Sequence, residues 1–243
     1  MSTSFILCEE FTDQILISYY LNNRCGWEHM KSGRNKNIAF INDYGIEWYF
    51  REANYLGIWP VKGNNFSEAF VSIIERCKLE NNEIRKIIVV TDHDDIDAET
   101  KRLESLSDIV SHCLGENVKA FSNGEWTKFK VKDDFSTISE IETLYLLVPI
   151  SGNGALETFV FNAISEDNIY AKEAIEQARS FIKNFRSEKY LTHNREKIKA
   201  ELSVSLSIFS PDKVFSTMNE YLKSMNWEKY KLFNIQFQEL EKI

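Results

Sequence analysis

The chain has 243 residues, of which 43% are hydrophobic, and this is enough apolar material to bury a sizeable core. Its 9 Gly and 3 Pro residues exclude collagen-like and low-complexity chains, and its net charge of −8 excludes nucleic-acid binding through bulk positive charge. The charge is uneven, because residues 1–150 hold 24 acidic and 16 basic side chains, whereas residues 151–243 hold 13 of each. An acidic site is therefore expected in the first part of the chain.

Apolar patterns in the first part of the chain predict strands that alternate with helices. Residues 5–8 predict a short buried strand, and Thr12 is the predicted N-cap of the helix that follows. Residues 24–56 are rich in aromatic side chains and are interpreted as an insertion with its own helix or hairpin. A second strand is predicted at residues 57–61, and Asn65 is the predicted N-cap of the next helix.

Two further apolar runs predict the centre of a parallel sheet. Residues 87–90 are a continuous β-branched run, which is typical of a strand buried on both faces, and residues 144–148 predict another buried strand. Residues 126–131 alternate between apolar and polar side chains and predict an edge strand. Strands that alternate with helices predict an α/β fold with a mostly parallel sheet flanked by helices.

The remainder of the chain has helical periodicity and many polar side chains. We therefore divide the chain into an α/β domain at residues 1–165 and a helical C-terminal extension at residues 166–243. The longest strongly apolar run, residues 144–150, is too short to span a bilayer, so no membrane association is expected. The four cysteines are widely spaced and form no pair with metal-ligand spacing, which is typical of a cytoplasmic protein with reduced thiols.

Acidic side chains follow three of the predicted strands. Glu9 comes directly after the first strand with Asp13 one turn later, Asp92 and Asp94 follow the strand at 87–90, and Glu157 begins the helix after the last strand. Ligands of open parallel sheets bind outside the carboxyl ends of the strands, so these acids are expected to meet at one edge. Oxygen ligands of this kind favour Mg²⁺ or Mn²⁺.

Each acid taken singly has a structural interpretation. A carboxylate in the first turn of a helix stabilises the helix dipole by about 0.3–1 kcal/mol, and Asp94 could serve as an N-cap. Helix capping does not require acids at several strand ends at once, however. The joint placement of Glu9, Asp92 and Asp94 therefore favours a functional site.

Two segments carry a resemblance to a known family. Residues 6–13 resemble the first motif of the Toprim domain, a hydrophobic strand that ends in Glu (Glu9) and is followed one turn later by Asp (Asp13). Residues 87–94 resemble the second motif, a hydrophobic strand that ends in Asp-x-Asp (Asp92 and Asp94). The spacing and the later segment with Glu157 are similar to OLD-family nucleases and stand-alone Toprim proteins, and the resemblance covers residues 3–165.

The resemblance implies a metal-dependent nuclease that cleaves DNA or RNA, in the context of phage defence. It implies that Asp92 and Asp94 hold Mg²⁺ or Mn²⁺, that Glu9 is a ligand or a general acid/base, and that Glu157 serves a second metal, with Asp13 as a further ligand. OLD nucleases carry an ATPase on the same polypeptide, whereas this sequence has no P-loop motif. The resemblance therefore implies a separate ATPase subunit as a partner.

Two other functions are considered for the same acids. One is a catalytically degenerate Toprim that binds a metal, a nucleotide or a partner protein in an ATPase complex. The other is a receiver-like domain, which would require a Lys after its last strand, where this sequence has Pro149, Ile150 and Ser151. The nuclease is the preferred interpretation.

Basic residues outside the acidic edge are candidate contacts to nucleic acid. Lys62 follows the second predicted strand, and residues 183–199 hold a basic group with interleaved aromatic side chains. From these segments we select as candidate phosphate ligands Lys62, Lys189, Arg195, Lys197 and Lys199. A solvated helix face with salt bridges is the other interpretation of residues 183–199, and the sequence favours it.

Overall fold

The strands form one sheet in the computed structural model. The model describes residues 2–30, 45–61, 65–80, 84–93, 96–114, 121–132, 138–152, 154–166, 168–185, 189–213 and 218–243. In chain order the strands are β1 (Thr3–Cys8), β2 (Glu28–His29), β3 (Glu47–Arg51), β4 (Asn54–Pro60), β5 (Ile84–Asp92), β6 (Trp126–Lys132) and β7 (Ile138–Val148). Across the sheet their order is β2-β3-β4-β1-β5-β7-β6.

Helices cover both faces of this sheet. They are α1 (Phe11–Cys25), α2 (Phe66–Glu80), α3 (Ile96–Leu114), α4 (Leu156–Ser165), α5 (Ile169–Asn184), α6 (Asn194–Phe209), α7 (Met218–Ser224) and α8 (Lys231–Phe237). Strands β4, β1, β5 and β7 are parallel, whereas β2, β3 and β6 pair in antiparallel fashion. The predicted α/β fold, with its mostly parallel sheet and its helical C-terminal part, is confirmed.

Side-chain alternation along β1 sends apolar groups into two separate cores. Ile6 points into the core formed with α1 and the C-terminal helices, and Leu7 points into the core formed with α2 and α3. Every residue of β1 is buried, as a strand in the middle of a three-layer arrangement must be. Apolar burial on both faces explains why β1, β5 and β7 are readable as apolar runs in the sequence.

The order of the strands creates a switch point between β1 and β5. From β1 the chain crosses to β4 on one side, and from β4 it crosses back to β5 on the other side of β1. The helices that follow β1 and β5 therefore leave toward opposite faces, and a crevice opens between the two strand ends. This crevice is where an open α/β sheet binds its ligands.

Two local sequence predictions are wrong in detail. Helix α1 begins at Phe11 with Glu10 as its N-cap, not Thr12, because the Glu10 and Asp13 side chains each accept a hydrogen bond from the other residue's backbone N–H. Residues 24–56, predicted as an insertion with its own helix or hairpin, supply β2, β3 and the start of β4 to the main sheet, where β3 pairs with β4 in antiparallel fashion. The part of the insertion at residues 31–44 lies outside the described residues.

The C-terminal helices share a core with the sheet. Phe233 of α8 is fully buried among Tyr20 of α1, Phe159 of α4 and Trp227, with ring centroids 5.5–6.4 Å away. The same core contains Ile6 and Ile88 of the central strands. Residues from both sides of the predicted boundary at 165 thus pack together, and the division into two domains stays a prediction.

The edge strand β6 has the predicted alternation. Phe129 and Val131 are buried, whereas Lys128, Lys130 and Lys132 are exposed. Lys128 forms ion pairs with Glu140 and Glu142 of β7 at 3.1 and 2.8 Å. The strand therefore closes this side of the sheet with a row of positive charge.

Within the described ranges, no helix combines the length and the apolar character needed to cross a membrane.

Candidate functional site

The predicted acids at the ends of β1 and β5 lie together. Cys8 is in register with Val90, so Glu9 comes level with the last residues of β5. One carboxylate oxygen of Glu9 accepts a hydrogen bond from the backbone N–H of Asp92 at 3.1 Å and another from the hydroxyl group of Thr91. The predicted neighbourhood of these strands is confirmed, and Glu9 and Asp92 meet at the switch point.

Arg102 is a member of this site that the sequence reasoning missed. Its guanidinium group lies 3.0 Å from the same Glu9 oxygen, and it also donates a hydrogen bond to the Thr91 hydroxyl oxygen. Both charged side chains are mostly shielded from solvent, so the ion pair is stronger than one on an open surface. The only available signal was an Arg at the second turn of the helix that follows the Asp-rich turn.

Asp92 has a second contact that ties it to α4. It is 6% exposed, and its Oδ1 atom accepts a hydrogen bond from the backbone N–H of Leu156 at 3.2 Å. Leu156 is the first residue of α4, where an anionic acceptor stabilises the helix end. Asp92 therefore joins three strand ends, since α4 begins shortly after β7.

Asp13 lies beneath the same edge and is buried. Its carboxylate accepts a hydrogen bond from the backbone N–H of Glu10 at 2.8 Å, which completes the capping box of α1. Burial above all, opposed by that hydrogen bond and assisted by the charges of Glu9, Glu10 and Glu157, raises the pKa of Asp13 to about 7. The acids of β1, α1 and α4 are thus within electrostatic reach of each other.

The raised pKa of Asp13 predicts a pH-dependent loss of stability in chelator-treated protein. Asp13 releases its proton near pH 3.8 in the unfolded chain and near pH 7 in the folded chain. Protonated Asp13 therefore contributes fully to the stability of the fold below about pH 4, and this contribution is lost as the pH rises to 7. Between these values the free energy of unfolding should fall by a few kcal/mol relative to Asp13→Asn. Urea unfolding at several pH values measures the difference, and parallel curves for the two proteins would contradict the burial argument.

Glu157 connects the acidic edge to the basic segment. Its carboxylate lies 3.6 Å from the ammonium group of Lys199 in α6. Lys197 is exposed on the same helix, Lys189 is exposed before it with its ammonium group 5.4 Å from the ring centre of Tyr190, and Arg195 is in the first turn of α6. Four of the five candidate phosphate ligands are therefore on or just before α6, and Lys62 lies outside the described residues.

His93 is held beside the site by two contacts. Its Nε2 atom is 3.3 Å from a carboxylate oxygen of Glu99 in α3, and its Nδ1 atom is 3.1 Å from the carbonyl oxygen of Pro149. The backbone of His93 also bonds to Val148 and Gly154. His93 therefore fastens α3 and the turn after β7 to the end of β5.

The edge carries two carboxylates, those of Glu9 and Asp92, and carboxylate oxygens are the ligand type that Mg²⁺ and Mn²⁺ prefer. Among the described residues, no three His, Cys, Asp or Glu side chains are grouped closely enough to hold a metal. Asp94, the third ligand that the sequence predicts, lies outside the described residues.

The fold and the edge together define an α/β protein with an acid-rich crevice at its topological switch point. The chain belongs to the family described as "Protein of unknown function (DUF3226)", whose model matches residues 3–237. Among solved structures, the chain is similar to the hypothetical protein PH0156 from Pyrococcus horikoshii OT3, with 13% identity and a TM-score of 0.50. That match covers 99% of this chain and 100% of the other, and it shows a shared fold. No curated protein matches the chain.

Proposed function

We propose that this protein is a metal-dependent nuclease of the Toprim type, which hydrolyses phosphodiester bonds of DNA or RNA. The observation that supports this most directly is the 3.1 Å contact between the Glu9 carboxylate and the backbone of Asp92 at the switch point. It brings the two Toprim-like motifs of the sequence to one position. The resemblance of residues 6–13 and 87–94 to those motifs supplies the reaction class.

The proposed roles follow from the side chains at the edge. When bound, Mg²⁺ or Mn²⁺ would polarise the scissile phosphate and lower the pKa of a bound water. Asp92 and Glu9 would hold the cation together with Asp94. Arg102 can donate hydrogen bonds to a phosphate oxygen, since its planar guanidinium suits that geometry.

Glu157 and Asp13 are assigned supporting roles in this proposal. Glu157 would serve a second cation, and its pairing with Lys199 at 3.6 Å balances its charge in the metal-free protein. Asp13 lies under the capping box of α1 and adds negative charge beneath the edge only when it is ionised, above about pH 7. Glu157, and Asp13 in its ionised form, increase the attraction of the edge for a cation.

The test is a cleavage assay with the purified chain. Single-stranded DNA, duplex DNA and RNA are incubated with Mg²⁺ or Mn²⁺, and a chelator is added to matched reactions. We expect cleavage of at least one substrate that the chelator abolishes. Cleavage that continues undiminished in chelator would contradict the metal-dependent mechanism.

We extend the proposal to the setting of the enzyme. A separate ATPase subunit is the proposed partner, and phage defence in the cytoplasm is the proposed context. Both rest on the resemblance to OLD-family nucleases, which join the nuclease to an ATPase. The cleavage assay therefore includes reactions to which an ATPase is added, where one is encoded beside the gene of this protein.

The second candidate function is a binding module without catalysis. The observation that favours it is the Arg102–Glu9 ion pair, because a carboxylate neutralised by Arg attracts a cation less strongly. In that case the edge would bind a nucleotide or a partner protein in the ATPase complex. Absence of cleavage in both metals, with the ATPase present, would favour this function.

A further inference from the structure

Large aromatic side chains are exposed at the end of α5. Phe181 is 57% exposed and Phe185 is 49% exposed, and their ring centroids are 5.8 Å apart with a 38° tilt. Tyr190, in the connection to α6, is 67% exposed. Burial of the apolar face of α5 does not use these rings, since that face consists of Ala171, Ile175, Ala178 and Ile182. Grouped aromatic rings in water are typical of a binding surface.

The same segment is strongly basic in an acidic protein. Residues 179–199 contain seven Lys and Arg residues against two Glu residues, in a chain whose net charge is −8. Lys183, Lys189 and Lys197 are exposed, and the Lys189 ammonium group lies 5.4 Å from the ring centre of Tyr190. One of the two acids, Glu196, caps α6 by accepting hydrogen bonds from the backbone of Thr192 and His193 at 2.7 and 2.9 Å. Basic residues therefore outnumber acidic ones in this segment of the sequence.

Ion pairs fix this segment beside the acidic edge. Lys199 of α6 pairs with Glu157 at the start of α4. Arg179 of α5 pairs with Glu201 of α6 at 3.7 Å, and its guanidinium lies 4.9 Å from the ring centre of Phe161 in α4. The start of α4 therefore contacts both the basic segment, through Glu157 and Lys199, and the acidic edge, through Leu156 and Asp92.

We propose that the end of α5 and the start of α6 form a platform for single-stranded nucleic acid. The α5–α6 platform consists of Phe181, Lys183, Phe185, Lys189, Tyr190 and Lys197. Unpaired bases would stack on the rings and phosphates would contact the lysines, which is how proteins hold single strands without reading their sequence. This inference rests on the proposed nuclease function and deepens it, because it names single-stranded DNA or RNA as the substrate class.

Charge decides between nucleic acid and a protein as the occupant. Aromatic rings alone would suit either one. The exposed lysines of the segment, Lys183, Lys189 and Lys197, favour a polyanion over an uncharged protein surface. A duplex would satisfy the lysines but would leave the rings without a partner, because its bases are stacked on each other. A single strand satisfies both kinds of side chain.

The test measures binding without cleavage. Anisotropy of labelled 20-nucleotide single-stranded DNA, RNA and duplex DNA is recorded in chelator, with the wild type, Phe181→Ala, Phe185→Ala and the double variant. We expect the affinity for single strands to fall roughly fivefold or more for each ring removed, and single strands to bind more tightly than duplex. Lys189→Gln and Lys197→Gln should each flatten the dependence of affinity on salt.

The matched control is Tyr170→Ala. Tyr170 is 78% exposed at the other end of α5, so its removal tests the loss of an exposed ring on the same helix away from the platform. Its affinity should equal that of the wild type. Circular dichroism confirms that each variant is folded, which the exposure of all three rings leads us to expect.

The outcomes separate this proposal from the nuclease proposal. Loss of single-strand affinity in the platform variants alone supports the platform, even if no cleavage is found in any metal. Unchanged affinity in those variants overturns the platform, even if the wild type cleaves. Single-strand affinity that survives while binding of the ATPase subunit is lost would identify a protein interface and would also overturn it.

Discussion

Glu9→Gln is expected to lower metal-dependent cleavage by at least about 100-fold while the protein stays folded. The substitution keeps an oxygen that can accept the hydrogen bonds from Thr91 and the Asp92 backbone. It removes the negative charge that would bind the cation. Glu9 lies at the mouth of the sheet, outside its two cores, so most of the loss should fall on turnover, with a smaller loss of stability from the weakened ion pair with Arg102. Initial cleavage rates and a thermal melt measure the two effects.

The matched control for Glu9→Gln is Glu104→Gln. Glu104 is exposed on α3, the helix that carries Arg102, and the same change of charge there should leave cleavage unaltered. Asp92→Asn should resemble Glu9→Gln in cleavage, with an added loss of stability from the weakened contact to Leu156. If Glu9→Gln cleaves as fast as the wild type, the assignment of Glu9 to the site is wrong.

Phe233→Ala is expected to lower the free energy of unfolding by about 3–5 kcal/mol, which is enough to unfold many proteins. Phe233 is fully buried at the centre of an aromatic cluster that joins α1, α4 and the C-terminal helices. Truncation of the ring would leave a cavity that rigid aromatic neighbours fill poorly. Urea unfolding of the variant measures the loss.

Phe181→Ala is the control for this change, because it removes the same atoms from an exposed position. Its free energy of unfolding should change by less than about 0.5 kcal/mol. A single unfolding transition in Phe233→Ala, seen by both fluorescence and circular dichroism, would show that residues 166–243 and the sheet unfold as one unit. Two separate transitions would instead favour the division at residue 165.

The predictable parts of the fold are those whose burial produces a regular pattern of apolar residues along the sequence. Residues 5–8 of β1, 87–90 of β5 and 144–148 of β7 are continuously apolar because helices cover both faces of these strands there. Strand β3 was missed because only Tyr49 of its five residues is buried, so its sequence has no apolar alternation. The N-cap of α1 was misplaced since Thr has the higher intrinsic preference, whereas the reciprocal bonds of Glu10 and Asp13 appear only in three dimensions.

The residues of the candidate site also differ in whether the sequence could predict them. Glu9 and Asp92 were predictable because strand ends of a parallel sheet converge by topology alone. Arg102 was not predictable, because its contact with Glu9 depends on how α3 packs against the sheet, which the sequence does not reveal. The exposure of Phe181 and Phe185 was not predictable either, since apolar residues in a sequence do not reveal which of them a neighbouring helix leaves uncovered.

The lysines of β6 have a consequence for how the protein behaves at high concentration. A free edge strand offers unpaired backbone N–H and C=O groups that can recruit the edge of another molecule. Two β6 strands that paired in this way would bring Lys128, Lys130 and Lys132 of each copy to within about 5 Å of their counterparts, and their charges would repel. At the opposite edge, β2 spans two residues and offers little backbone to pair with. Within the described residues, both edges of the sheet therefore disfavour edge-to-edge pairing with another copy, which protects against open-ended fibre growth.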